Sequence, residues 1–494
     1  MIRRNIRVPL LALVAGTGAA ATLAVSLHAP VSAQSGTVQT ISAADKQQGA
    51  KAHPQLLQEF GGAVTGPQAN YVAGVGKTIA VQSGLGNARS DFTVTLLNSP
   101  VNNAFAIPGG YIYTTRQLVA LMNNEAELAG VLGHEVGHVA ARHSAKRESA
   151  QTRNNILGVL GSVLAGAVFG SDSTLGQLGQ KIFSSGSQLL TLKYSRGQET
   201  EADNLGVTYL RRAGYDPRAM STVLQSLANQ TALDAQLSGS TDAVPAWAST
   251  HPDPASRVQA ALAQAGTNAT GLTNRTTFLT SVDGLVYGDD PQQGVVDGRT
   301  FTHPGYRLSF QAPQGFYLVN GTNAVSISGQ SGKGEFASAA YNGDLSAYIR
   351  AVFAKLSSQS TLAPDSIRTT TINGIPAAYG TASVTSDGSP VDVVVVAYAW
   401  GPQQAFHFTT ISQQGQSGTF NAMFNSVRRI TPADASAVKP RHLHVVTVKA
   451  GDTLQSLSAR MAYADKPLER FLVLNALTTT SRLTPGQRVK LIVY

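Results

Sequence analysis

His134-Glu135-Val136-Gly137-His138 is the string in this chain whose residue types and spacing point most directly to chemistry. On a helix, positions i and i+4 share a face, so both imidazoles can aim at one ion while Glu135 reaches a water held there. Imidazole and carboxylate ligands suit zinc, and a catalytic zinc takes three protein ligands and keeps one position open. Composition alone yields such a string about 0.004 times in a chain of this length, so coincidence is a poor account of it. There is no cysteine, which excludes disulfides, thiolate sites and Cys nucleophiles and leaves only His and carboxylates to hold a metal.

A third ligand has to come from elsewhere. Positions 144 and 145 are Ser and Ala, so the extended HExxH-xxGxxH pattern is absent, and no later histidine occurs before His251. Glutamates are concentrated between 125 and 201 in a chain otherwise poor in acids, and Glu199 within Ser195–Asp203 is the best candidate. Glu199 and Asp203 are four apart, so on a helix Glu199 can ligate while Asp203 accepts a hydrogen bond from a ligand imidazole and fixes its tautomer. Glu201 would lie about 160° away from that face. His143 reads as a residue that packs against or caps the helix end.

The elements that must position these groups carry local signals. Asn124 with Glu127 is an N-terminal capping arrangement, and a helix is expected from there through Arg147. Ser195 with Gln198 opens a second helix, stopped by Gly214 and Pro217. Gly130, Gly133 and Gly137 each weaken the first helix by roughly 1 kcal/mol, which makes sense if the second helix's backbone approaches them closely. Residues 91–97 read as a strand, and 103–115 as two short strands around Pro108-Gly109-Gly110. Residues 155–170 are apolar and Gly-rich, which suits either a buried helical hairpin or a mobile lid.

The whole chain has 494 residues, 43% hydrophobic and only 13% charged, with a formal charge of +9. That fits several folded domains and neither a disordered chain nor a polytopic membrane protein. Arg3, Arg4 and Arg7 open a segment with an apolar stretch Val8–Leu27 and a small-residue end Val31-Ser32-Ala33. This is the layout of a signal peptide over 1–33, cleaved after Ala33, with an uncleaved anchor as the alternative. The other cations are scattered without interleaved aromatics, so no nucleic-acid partner is expected, and membrane contact is at most peripheral.

The runs NAFAIPGGYIYTTRQL, NEAELAGVLGHEVGHVAARH, SRGQETEAD and STHPDPASR closely resemble metallopeptidase family forty-eight, the CAAX-prenyl-protease-like zinc endopeptidases. The resemblance covers about residues 45–265. It implies one zinc ion per chain on His134, His138 and Glu199, with Glu135 as general base and Asp203 behind the ligands. It also implies that Asn103, Ala104, Phe105, Ala106 and Ile107 form the edge strand on which an extended substrate lies. His251 resembles a histidine that can approach the zinc in some members, which makes it a latch, a transition-state donor or a structural loop residue. Unlike membrane-embedded members, the chain has no internal transmembrane helices, which argues against a membrane-embedded substrate.

Residues 444–494 resemble a LysM module, with VTVKAGDTLQSLSARM, FLVLNAL and LTPGQRVKLIV reading strand–helix–helix–strand. LysM modules bind N-acetylglucosamine glycans, so peptidoglycan is an implied partner beside unfolded or envelope protein substrates. Residues 281–430 read as an α/β accessory region faintly resembling PsbP-like domains. Its signals are the alternation Tyr306, Leu308, Phe310, helical spacing at Leu345, Ile349, Val352, Leu356, and the turn Asn373-Gly374. Residues 431–441 read as a linker.

The expectation is therefore an α+β fold. Residues 34–270 would be a mainly helical, zincin-type (gluzincin) catalytic domain with a small edge-stranded sheet, followed by the accessory region and a βααβ LysM-like domain. The function expected is an exported zinc endopeptidase of the periplasm or envelope of a Gram-negative bacterium, acting on misfolded or mislocalised envelope proteins. The alternative is a protease-like chaperone or cell-wall-binding scaffold with a capped metal site.

Overall fold

The computed structural model describes residues 39–144, 194–238, 247, 251, 254–356, 362–386 and 389–494. The signal segment 1–33 and the apolar stretch 155–170 lie outside the described residues. The described chain is α+β.

In the N-terminal part, β1 (Thr93–Leu97), β2 (Ala104–Ile107) and β3 (Tyr111–Thr115) form a sheet in the order β1-β3-β2, with β2 at one edge. β2 and β3 are the hairpin that Pro108-Gly109-Gly110 announces; Gly109 and Gly110 sit at φ 90° and 80°, where a side chain would be strained. Strand alternation gives the sheet two apolar faces. Phe105, Ile107 and Tyr113 pack on helix Ala43–Glu59, while Ala104, Ala106 and Ile112 join the main core.

Behind that second face runs the helix Glu125–Ala140, buried along almost its whole length. Asn124 caps it by accepting the Glu127 N–H at 3.0 Å. The helix stops at Ala140, short of the expected Arg147, because Arg142 turns left-handed at φ 55°. Against it packs the helix Arg196–Arg212, opened by the Ser195–Gln198 capping box and ended by Gly214 at φ 80°. The glycines let the two backbones meet. A Cβ on Gly137 would lie 3.1 Å from the Ala202 carbonyl oxygen, and one on Gly206 would lie 3.2 Å from His134 N, whereas one on Gly133 would make only ordinary contact. Helices Ala219–Ser238 and Pro254–Ala265 close the bundle.

The accessory region is a seven-stranded antiparallel sheet in the order 366–372, 375–386, 389–401, 404–413, 332–340, 324–329, 316–320. Asn373 and Gly374, both at positive φ, make the expected hairpin turn. Helix Leu345–Lys355 covers one face through Ile349 and Phe353, and Phe336, Tyr398 and Phe408 pack on the other.

The C-terminal unit has the expected order: strand Arg441–Thr447, helices Leu454–Ser458 and Pro467–Leu474, strand Arg488–Val493. The stretch read as a linker instead holds a capped helix, Pro432–Ala437. This unit does not hang free. Its first strand also pairs with Val286–Tyr287, and its apolar residues merge with the core around the helix Glu125–Ala140. Lys490, fully buried, donates to the carbonyls of Ala120, Leu121 and Met122 at 2.8, 3.2 and 2.6 Å. Among the described residues no helix is long and apolar enough to cross a membrane.

Candidate metal centre

Close packing of the two helices brings His134, His138 and Glu199 together, and the start of the segment 251–265 adds His251. One ligand-type atom from each of the four lies within 4.8 Å of the others, and all four residues are buried. His134 Nε2 is 2.9 Å from His138 Nε2 and 3.2 Å from His251 Nδ1. Glu199 Oε1 is 3.4 Å from His138 Nε2 and 3.1 Å from His251 Nδ1, and Glu199 Oε2 is 3.5 Å from His134 Nε2. Donors about 2.1 Å from one tetrahedral ion lie roughly 3.4 Å from each other, so these separations fit the edges of such a polyhedron.

The charges fit a dication as well. Glu135, Glu199 and Asp203 are three buried carboxylates, and Arg257, also buried, is the permanent cation that faces them. Arg257 Nη1 is 2.6 Å from Glu199 Oε2, while Nε and Nη2 donate to Asp203 at 2.7 and 2.6 Å. A divalent ion beside these carboxylates would offset the cost of burying their charge.

Each side chain's electrostatics follows from its neighbours. Burial pushes the Glu135 carboxyl upward, and neither of its oxygens has a hydrogen-bond partner among the described residues. Burial alone would raise Glu199 too, but the charges of His251 and His134 and the hydrogen bonds from His138 and His251 hold it well below the carboxylate range. Asp203 is likewise driven against its burial, down to about 2, by its bonds from Arg257 and His134. Burial, and then the neighbouring His134, lowers His138 far below the usual imidazole value.

Asp203 Oδ1 sits 2.9 Å from His134 Nδ1, which assigns the proton to Nδ1 and leaves the Nε2 lone pair facing the centre. His138 is turned by a different route: its Nδ1 is 2.8 Å from His143 Nδ1, and His143 Nε2 is 3.1 Å from Glu201 Oε2. Glu201 points away from the centre, half-exposed, and grips the buried His143. The Tyr194 ring stacks on His138 at 3.7 Å, and Trp247 stacks on His251 at 4.3 Å.

The strand Ala104–Ile107 lies beside this cluster, with Asn103 pairing to Thr115 just before it. Thr115 N donates to Asn103 O, so by antiparallel alternation Ala104 and Ala106 direct their backbone groups to the open edge. His251 Nε2 takes up that edge, 3.3 Å from the Ala104 carbonyl oxygen, and lies 3.5 Å from Glu135 Oε1. Sequence reasoning left Arg257, Tyr194 and Trp247 without a role. Arg257 stands in the STHPDPASR run, but its partners are 54 and 58 residues away and no local spacing links them.

Residues 67–265 match the family model described as Peptidase family M48, and residues 446–491 match that described as LysM domain. A beta-barrel assembly-enhancing protease of Yersinia pestis is 38% identical over 148 residues, 29% of this chain and 30% of that protein. The protein of the same name from Escherichia coli O157:H7 is 33% identical over 178 residues, 35% of this chain and 34% of the relative. The mitochondrial metalloendopeptidase OMA1 of Schizosaccharomyces pombe is 30% identical over 221 residues, 44% of this chain and 59% of the relative. The chain thus spans about a third of the length of the first two relatives and somewhat over half of the third.

Proposed function

We propose that this chain, M48-like over 67–265 and LysM-like at its C-terminal end, is an exported zinc metalloendopeptidase. Its substrates are misfolded or mislocalised envelope proteins, its compartment is the periplasm or envelope of a Gram-negative bacterium, and the LysM-like unit contacts peptidoglycan. The observation that carries the catalytic part is the convergence of His134, His138 and Glu199 beside a buried Glu135 whose oxygens accept no hydrogen bond among the described residues.

His134, His138 and Glu199 hold the ion, and Asp203 orients His134. When bound, zinc lowers the pKa of a water towards 7 and polarises a carbonyl oxygen. Glu135 accepts the proton from the attacking water as its oxygen bonds to the scissile carbonyl carbon. It then delivers that proton to the nitrogen as the C–N bond breaks. The substrate lies as an added strand along Asn103, Ala104, Phe105, Ala106 and Ile107, its backbone paired with the outward groups of Ala104 and Ala106.

His251 favours a second reading. With Nδ1 at the cluster and Nε2 at Ala104 and Glu135, it caps the centre, as a latent enzyme or a protease-like scaffold would. One experiment separates the readings: casein cleavage by the wild type, Glu135→Gln and His251→Ala, with and without 1,10-phenanthroline, alongside zinc content. A latched enzyme gives chelator-sensitive cleavage that His251→Ala enhances and Glu135→Gln abolishes with zinc retained. Full cleavage by Glu135→Gln refutes the general base, and no cleavage by wild type or His251→Ala favours the scaffold.

A further inference from the structure

We propose that His143 is a positioning residue that sets the proton and the aim of His138 through a hydrogen-bond chain running from His138 by way of His143 to Glu201; the inference rests on the metal-binding reading above. For His138 to offer its Nε2 lone pair to an ion, its Nδ1 must carry hydrogen, and the atom facing that hydrogen must accept. That atom is His143 Nδ1, 2.8 Å away. His143 then keeps its own hydrogen on Nε2, where Glu201 Oε2 accepts it at 3.1 Å. Every proton in the chain is thereby assigned: His138 donates to His143, and His143 donates to Glu201.

The backbone is bent to make this contact. After the helix ends at Ala140, Arg142 adopts φ 55°, a left-handed conformation that costs a side-chain-bearing residue free energy and that glycine usually fills. That turn returns His143, fully buried, beneath the last helical turn and against His138. Gln198 Nε2 donates to the His143 carbonyl at 3.4 Å, and Glu201 follows on the same helix that supplies Glu199. The two ligand imidazoles are thus aimed by two carboxylates of one helix. Asp203 acts on His134 directly, and Glu201 acts on His138 through an interposed imidazole.

The test is zinc affinity by chelator competition on the full chain, with the visible spectrum of the cobalt-substituted protein as a second readout. His143→Leu keeps the volume but cannot accept from His138; it should weaken zinc about 10–100-fold and alter the cobalt spectrum. His143→Asn, whose side-chain oxygen can take the place of Nδ1, should recover most of that loss. Glu201→Ala, at a half-exposed site that the fold tolerates, should weaken zinc several-fold. Wild-type affinity in both His143→Leu and Glu201→Ala overturns the proposal, as does failure of His143→Asn to improve on His143→Leu. A wild-type protein that binds no zinc defeats the underlying reading instead, so the two failures are distinguishable.

Discussion

Lys490 ties the C-terminal unit to the helix that carries both candidate histidine ligands, and replacing it with Met tests that tie. Its ammonium spends three hydrogen bonds on the carbonyls of Ala120, Leu121 and Met122, just ahead of the helix Glu125–Ala140. It also supplies positive charge to the buried Glu127, whose carboxylate accepts from Asn123 N at 2.7 Å and Thr222 Oγ1 at 2.8 Å. Burial lowers the Lys490 pKa far below the usual ammonium value and raises that of Glu127, so each charge depends on the other. Lys490→Met retains the packing volume but strips the donor from three buried carbonyls and leaves Glu127 only Arg275 as a neighbouring cation. A buried acceptor left unsatisfied costs roughly 1–3 kcal/mol, so the loss should reach at least about 3 kcal/mol. For a unit of this size that is roughly a 10 °C fall in melting temperature. Thermal melts by circular dichroism should show that fall in Lys490→Met and a partial recovery in Lys490→Met with Glu127→Gln, which removes the stranded charge. A single variant melting within about 2 °C of the wild type would refute the claimed brace.

Two further outcomes follow from other parts of the fold. Burial lowers the His407 pKa from 6.5 to about 4, so the folded accessory sheet prefers the neutral ring that faces Tyr348 Oη at 2.8 Å. A depressed folded value means the contribution is complete above pH 6.5 and is lost as pH falls through 4. It amounts to about 3 kcal/mol, to be read from urea melts followed by Trp400 fluorescence, and His407→Gln should flatten the pH dependence. Gly137→Val should force the helices Glu125–Ala140 and Arg196–Arg212 apart at the Ala202 carbonyl. It should cost about 1–3 kcal/mol and weaken zinc binding by separating Glu199 from His138, and a variant with wild-type zinc affinity would remove the packing argument for that glycine.

What was legible in the sequence is what depends on near neighbours. The i, i+4 spacings of His134 with His138 and of Glu199 with Asp203, the caps at Asn124 and Ser195, and the Pro-Gly-Gly turn between β2 and β3 are all encoded within a few residues. What was illegible depends on distant ones. Arg257 meets Glu199 and Asp203 only because the helix Pro254–Ala265 packs against the helix Arg196–Arg212. The direction of His143 depends on one left-handed residue, Arg142, which no propensity scale marks as a helix terminator. A lysine near a C-terminal end reads as a solvated charge, yet Lys490 is buried because the module shares a core with the helical bundle.

Under the proposed function, His251 makes opening of the site a single event. One buried ring sits at the fourth ligand position through Nδ1, at the Ala104 carbonyl through Nε2, and 3.5 Å from the general base. An extended peptide entering on β2 needs the same three places: the edge carbonyl for its N–H, the open position for its carbonyl oxygen, and Glu135 for the water. Partial occupancy is therefore excluded by geometry, since a strand paired at Ala104 has already displaced the imidazole that blocks the rest. What resists displacement is the stack on Trp247, about 0.5–1.5 kcal/mol, together with the hydrogen bonds to Glu199 and Ala104. A substrate backbone replaces the Ala104 bond in kind, and its carbonyl oxygen takes the place that Nδ1 vacates, so the exchange offsets part of what His251 gives up at Glu199 and Glu135. A folded protein, whose backbone groups are already paired, offers no such replacement. If His251 is a latch of this kind, it would favour unfolded chain by hydrogen-bond exchange, as the proposed function requires.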